Sequence, residues 1–263
     1  MQKRSSLAIV KAVIFALVLR ELRTRFNSRR MGIFWFMFEP LAYMLVMVFD
    51  RVFLRSVNMK IGGMDYAMFL VTGIVPFLMF KNIVLLGMGA IDANRGLFAY
   101  HQIKPLDCIM ARVVVECVMR ALVYALLVFI MGFWLGYDVS IARPLEWLGI
   151  ILLGILFSFS LSIILCIWSE AMPNAKIFVT LVFMPLYFLS DVLIPVSKLP
   201  SQVQSWLAWN PFFQLSVQLR MAIDPGYPIL PGISAQHMIF ATLVLLLIGL
   251  ALYHSRRDKL LSI

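Results

Sequence analysis

Glu39 and Asp50 stand out chemically because both carboxylates lie in one largely apolar run, Glu39 about two turns into it and Asp50 near its far end. A charge near the centre of a bilayer costs at least ~2.5–3.5 kcal/mol on insertion scales, so such groups usually face protein or water. Eleven residues separate the two, which on a helix leaves them only about 20° apart. Trp35, Phe38, Phe49 and Phe53 fall on the adjoining arc. Aromatic faces pack on the CH faces of sugar rings while carboxylates accept from their hydroxyls, so this stripe suits a glycan path. Ordinary helix packing accounts for an aromatic stripe as well, and the residues alone leave both readings open. Pro40 removes a backbone hydrogen bond inside the same run.

Other polar constellations have plainer readings. Arg112, Glu116 and Arg120 are spaced four apart and can pair along one helix face. Lys81 either snorkels or lines a pore. His101, His237 and His254 are far apart, and Cys108, Cys117 and Cys166 have neither pairing nor metal spacing, so no metal site is expected. The chain has no GxxxxGK[ST] phosphate loop, no GxSxG elbow and no HExxH pair. Catalysis in this chain is therefore not expected, nor is a cofactor.

The elements that must position these residues are membrane helices. Hydrophobic residues make up 62% of the chain and charged ones 14%, a surplus that a soluble interior of this size cannot hide. Six apolar runs approach the ~20 residues needed to cross a bilayer: 32–54, 66–90, 113–136, 145–168, 177–196 and 236–253. With both termini cytoplasmic, the lysines and arginines favour the inner side about threefold, as the positive-inside rule requires. That placement explains the net charge of +10 better than nucleic-acid binding does. The start MQKRSSLAIVKAVIFALVL imitates a signal peptide, but RELRTR follows where cleavage would fall, so the segment reads as retained.

Two segments are helical but too short or too charged to span. In residues 7–27, Phe15, Val18, Leu19, Leu22 and Phe26 share one arc, with Arg20, Arg23, Thr24 and Asn27 opposite. That pattern predicts an amphipathic helix lying in the membrane plane, either as an anchor or as a docking surface too. Between the last two spans, Asn210 can cap a helix and Pro211 suits its first turn. Short helices are expected over 202–209 and 212–222, carrying Trp206 and Trp209. They either dip into the outer leaflet as a re-entrant hairpin (199–223) or lie flat on the outer surface. On the inner side, 92–113 is expected to hold a short helix parallel to the membrane, interrupted by Pro105. Gly154, Ser158 and Ser162, like Gly132 and Gly136, offer small-residue faces for close helix approach.

The segment RTRFNSRRMGIFWFMFEPL, the inner loop LFAYHQIKPLD and the outer WLAWNPFFQLSVQLR, set among six spans, carry a resemblance. The chain resembles the membrane subunit of ABC-2-type exporters, and among them the capsular polysaccharide export permeases, over essentially its whole length. The resemblance implies a homodimer joined to two copies of a cytosolic ATPase, which binds the ATP and magnesium. It further implies a lipid-linked polysaccharide as cargo, a bacterial inner-membrane location, and an inner-membrane copolymerase and outer-membrane export protein extending the path. Carried onto this sequence, the ATPase would dock on Arg20, Glu21, Arg23 and Arg25 and on Asn94, Arg95, Tyr100, Gln102 and Lys104. The channel would take Trp35, Phe38, Glu39, Phe49 and Phe53, with Tyr43 and Tyr187 as neighbours. O-antigen or teichoic acid cargo remains an alternative. An ion-coupled transporter using Glu39 or Lys81 is a further one, although the two halves show no internal similarity.

Overall fold

In the computed structural model, residues 6–27, 38, 42, 60–98, 102–172 and 174–261 are described. The amino-terminal helix α1 (Ser6–Asn27) precedes a two-stranded hairpin, β1 (Lys60–Ile61) and β2 (Met64–Asp65). Then come α2 (Tyr66–Met88), a 3-10 turn (Asp92–Leu97), α3 (Pro105–Phe133), α4 (Pro144–Ala171) and α5 (Ala175–Leu189). The last elements are α6 (Ser201–Leu207), α7 (Pro211–Ile223) and α8 (Ala235–Leu261). Four of these, α2, α3, α4 and α8 as far as Arg256, are long and apolar enough to cross a membrane. The first expected span, with Trp35, Glu39, Pro40, Tyr43, Phe49, Asp50 and Phe53, lies outside the described residues. From that segment, Phe38 is helical and exposed.

Helix α2 is the centre of the bundle. Its stretch MFLVTGIVPFLMF is apolar all round, the mark of a helix covered on every side, and every residue from Met68 to Phe80 is buried. Helices α3, α4, α5 and α7 surround it. The approach of α4 depends on small residues, because apolar surface gains little from association in lipid and close backbone contact must supply the attraction. The Gly154 Cα lies against the Phe80 ring, and a Cβ on Gly87 would come 2.6 Å from the Ser162 Cβ. On the other side of α4, a Cβ on Gly249 of α8 would stand 3.2 Å from the Ser160 carbonyl. The small-residue face expected around Gly154 and Ser162 is thus a helix-packing surface.

The second pair of glycines does something else. Helix α3 ends at Phe133, and Gly136 takes a φ of +68°, a conformation that costs glycine nothing. The chain then folds back, Tyr137 N–H donating to the Met131 carbonyl and the Val139 side chain seated over Gly132. These two glycines make a chain reversal rather than a helix–helix face.

Two boundaries differ from the sequence expectation, each for a local reason. Pro105 opens α3 instead of interrupting a loop helix, since a missing N–H is harmless in a first turn. The Asp107 carboxylate accepts from Lys104 N–H at 2.9 Å and seals that start. The inner segment before it is the 3-10 turn Asp92–Leu97. At the other boundary, α5 stops at Leu189, well before Val196, where Asp191 adopts a φ of +57° and turns its carboxylate into the protein. Pro185 lies inside α5. At 15 residues α5 is about 22 Å long, short of the ~30 Å hydrocarbon core.

Helix α7 is the least expected part of the core. Nearly all of PFFQLSVQLRMAI is buried, and α7 packs against α2 and α4. Its Phe212 ring lies 5.8 Å from Phe77, 5.6 Å from Phe157 and 5.4 Å from Phe183, joining four helices in one aromatic cluster. Gln214 is fully used: its amide donates to the Ala208 and Gly232 carbonyls and its oxygen accepts from Ser234 N–H.

Candidate functional site

Helix α1 meets the bundle along one stripe, Val13, Leu17, Glu21 and Arg25, spaced four apart so that all four face the same way. The first half of the stripe is apolar. Leu17 is buried in a small cluster with Cys108, Ala111 and Ile167, with Val13 and Val18 packed beside it. The second half is ionic. The Glu21 carboxylate lies 3.5 Å from Arg25 and 3.6 Å from Arg112, and Arg25 reaches past it to Glu116 at 2.8 Å. Phe15, Leu19 and Phe26 lie off this stripe and are exposed.

Glu116 is the convergence point. It is wholly buried, and its Oε1 accepts from Asn82 of α2 and from Arg120 one turn along α3, both at 3.0 Å. Pairing of Glu116 with Arg120 follows the four-residue spacing. Arg112 instead pairs with Glu21 and donates to the Leu86 carbonyl at 2.5 Å.

A second tie joins α1 to the 3-10 turn. Arg20 Nη1 donates to Asn94 Oδ1 at 2.6 Å, and the Asn94 amide donates to the Ala90 carbonyl at 2.7 Å. Arg95, on the turn, bridges Asp92 at 2.8 Å and Glu170 of α4 at 3.1 Å. The Glu170 carboxylate is the main reason that the Arg95 guanidinium is held above its ordinary pKa. Between α1 and the turn lies a cleft of about 110 Å³ lined by Leu17, Arg20, Thr24, Asn94 and Arg112. Beside it a larger hollow of about 560 Å³ is bounded by Gly89, Asp92, Arg95, Glu170 and Lys176.

The expected docking residues are held differently. Arg20, Glu21, Arg25 and Asn94 bond within the chain, Arg20 while exposed; Arg95 is exposed and also paired with Asp92 and Glu170; Arg23, Gln102 and Lys104 are exposed. Tyr100 lies outside the described residues. Tyr187, expected beside a channel, is buried in this chain with its ring 5.1 Å from Phe77.

At the opposite end of the bundle, Asn210 caps α7 as its sequence suggested, Oδ1 accepting from Phe212 N–H at 3.0 Å. Its amide also donates to Ser190 Oγ at 2.9 Å, tying the cap to the end of α5. Trp206 and Trp209 stand 78% and 77% exposed. Sequence reasoning missed what lies beneath them. Arg220 of α7 and Asp191 form an ion pair with no exposure on either side chain, and Arg220 lies 3.6 Å over the Phe69 ring. Asp191 also accepts from Tyr227 Oη and from Val196 N–H. Burial is the main cause that raises the Tyr227 hydroxyl pKa. The available signal was an arginine and an aspartate each set in an apolar run.

Comparison with known proteins bears on what such an arrangement serves. The ABC-2 type transporter family model matches residues 12–223, most of the chain. The chain belongs to the ABC-2 type transporter family. It is 35% identical over 260 residues to the polysialic acid transport protein KpsM of Escherichia coli, covering 98% of this chain and 99% of that protein. It is 30% identical over 253 residues to the capsule polysaccharide export inner-membrane protein CtrC of Neisseria meningitidis serogroup A, covering 94% and 91%. The O-antigen export system permease protein RfbA of Klebsiella pneumoniae is 21% identical over 253 residues, covering 93% and 92%. Within this family assignment, α1, the 3-10 turn and the adjoining parts of α3 and α4 form one charged unit. Among the described residues no cluster of His, Cys, Asp and Glu suits a metal ion.

Proposed function

We propose that this chain is the membrane permease of an ATP-driven exporter that moves a lipid-linked capsular polysaccharide across a bacterial inner membrane. The observation that carries the reading is 35% identity to a polysialic acid transport protein along 98% of the chain. Greater similarity to capsule export proteins than to an O-antigen permease favours capsule as cargo.

Two permeases enclose the path, and two copies of a cytosolic ATPase supply ATP hydrolysis with its magnesium. The exposed Arg23, Arg95, Gln102 and Lys104 form the docking face, and Arg20, Glu21, Arg25 and Asn94 hold α1 and the 3-10 turn rigidly beneath it. Trp35, Phe38, Glu39, Tyr43, Phe49 and Phe53 supply the aromatic and carboxylate wall of the path, with Tyr187 behind it. Both termini are cytoplasmic, six segments cross, and α6 and α7 form a re-entrant hairpin at the outer leaflet. An inner-membrane copolymerase and an outer-membrane export protein continue the route.

Deletion of the gene in its host, followed by staining of surface and intracellular polysaccharide, tests this. Polymer retained inside the cell and restored to the surface by the intact gene is expected. Undiminished surface polysaccharide in the deletion strain would overturn the reading.

A further inference from the structure

Two polar routes lead from α1 into the interior of the bundle. One runs from Glu21 to Arg112 and on to the Leu86 carbonyl, but its first step is 3.6 Å between partly exposed groups. The other runs from Arg25 through Glu116 to Asn82, in steps of 2.8 and 3.0 Å, with Glu116 wholly buried. Arg25 and Glu116 are 91 residues apart in sequence, so chain connectivity does not hold them together. Arg20 also bonds Asn94, but that tie ends on the 3-10 turn rather than between α2 and α3, and the Leu17 contact with Cys108 and Ala111 is apolar and non-directional. Such a surface lets one helix slide over another at little cost, whereas a charge-assisted hydrogen bond in a dry interior resists displacement.

Resting on the transport reading above, we propose that Glu116 is the positioning residue that makes α1, α2 and α3 move as one body when a partner displaces α1. Each of its hydrogen bonds reaches a different place: Arg25 on α1, Asn82 on α2 and Arg120 on α3. Any shift of α1 relative to α2 or α3 must break one of them and leave a cation or the carboxylate poorly compensated. Displacement at the membrane surface is thereby delivered to α2, the helix at the centre of the bundle.

The test uses the complete exporter, permease and ATPase together, in lipid nanodiscs, with the native cysteines replaced by alanine. Spin labels are placed at Phe15→Cys on the outward face of α1 and Val118→Cys on the exposed face of α3. Distances between them are measured without nucleotide and in the vanadate-trapped state. With Glu116 intact, the distribution is the same in both states. With Glu116→Gln it shifts or broadens on trapping, and polymer exported per ATP hydrolysed falls about tenfold or more. Glu116→Asp, which keeps the charge, recovers most of the loss. Arg25→Gln cuts the same link from the α1 side while leaving Glu116 paired with Asn82 and Arg120, and it shows the same distance change. Unaltered distances in both Glu116→Gln and Arg25→Gln would overturn the proposal. So would lost folding in Glu116→Gln alongside unaltered distances in Arg25→Gln, which would leave Glu116 a purely structural group. A wild-type exporter that moves no polysaccharide would refute the transport reading, while the distances would still decide this one.

Discussion

The Arg220 guanidinium meets the Asp191 carboxylate at 2.5 Å, and neither side chain is exposed. Twenty-nine residues separate the two, and the pair joins α7 to the turn after α5. Arg220 also donates to the Phe69 carbonyl at 3.0 Å and stacks over its ring, which brings α2 into the same junction. The Gly73 Cα leaves room for the guanidinium, where a side chain would collide with it.

Removing one member of this pair leaves the other buried without its counter-charge. Arg220→Met or Asp191→Leu is expected to destabilise the protein by about 3–5 kcal/mol, and the double change Arg220→Met with Asp191→Leu by less than the sum of the single changes. Tyr227→Phe, which deletes one hydrogen bond to the same carboxylate, costs about 1.5–3 kcal/mol. Unfolding of the detergent-solubilised protein, followed by circular dichroism, measures all four.

The Asn210 cap makes a smaller and more local prediction. Asn210→Ala removes the acceptor for Phe212 N–H and should cost about 1 kcal/mol, whereas Asn210→Ser keeps a capping oxygen and removes the amide that reaches Ser190. The same unfolding measurement separates the two contributions.

Packing of α2 on α4 predicts intolerance of added volume. Gly154→Leu drives a side chain into the Phe80 ring and Gly87→Leu into Ser162, each costing about 1–3 kcal/mol or more. Gly149 on the same helix has nothing within 4 Å of where its Cβ would stand, so Gly149→Ala is expected to cause no such collision. A thermal shift series over these three sites checks the contrast.

Docking and internal bonding can be separated by charge reversal. Arg23 is exposed, so Arg23→Glu should weaken co-purification of the ATPase while leaving stability within about 0.5 kcal/mol of wild type. Arg20→Glu faces the buried Asn94 oxygen instead of donating to it, so it should lower stability and ATPase binding together. Pull-down of the ATPase beside a melting curve for each variant tests the distinction.

The exposed tryptophans predict little effect on folding. Trp206→Ala and Trp209→Ala should each leave the melting temperature nearly unchanged, since both rings are more than three-quarters exposed. A large loss of stability in either would mean that the ring is covered in the assembled exporter.

Much of the architecture was legible because its signals are local. The apolar runs of α2, α4 and α8, the helix of α1 and the Asn210–Pro211 helix start each depend on neighbours within a few turns. Lipid, water and the helix's own hydrogen bonds decide them, and these act the same way whatever the rest of the chain does. The helix from Pro211 could be read in this way, but its depth in the bundle could not: the residues left it either dipping into the outer leaflet or lying flat, with no partners visible for its glutamines and arginine. They are instead satisfied by carbonyls and a carboxylate brought from other elements.

The candidate site was legible only as types of residue. The sequence alone determined that arginines and carboxylates cluster at the ends of apolar runs and that Glu116 can reach Arg120 one turn away. Tertiary structure decided that Arg25 crosses 91 residues of sequence to reach Glu116, Arg20 crosses 74 to Asn94 and Arg220 crosses 151 to Phe69. Hydropathy shows which side of a helix avoids water but not which helix will cover it. A buried charge takes whichever partner the packed helices bring within about 3 Å, so the pairing is settled only when the helices pack.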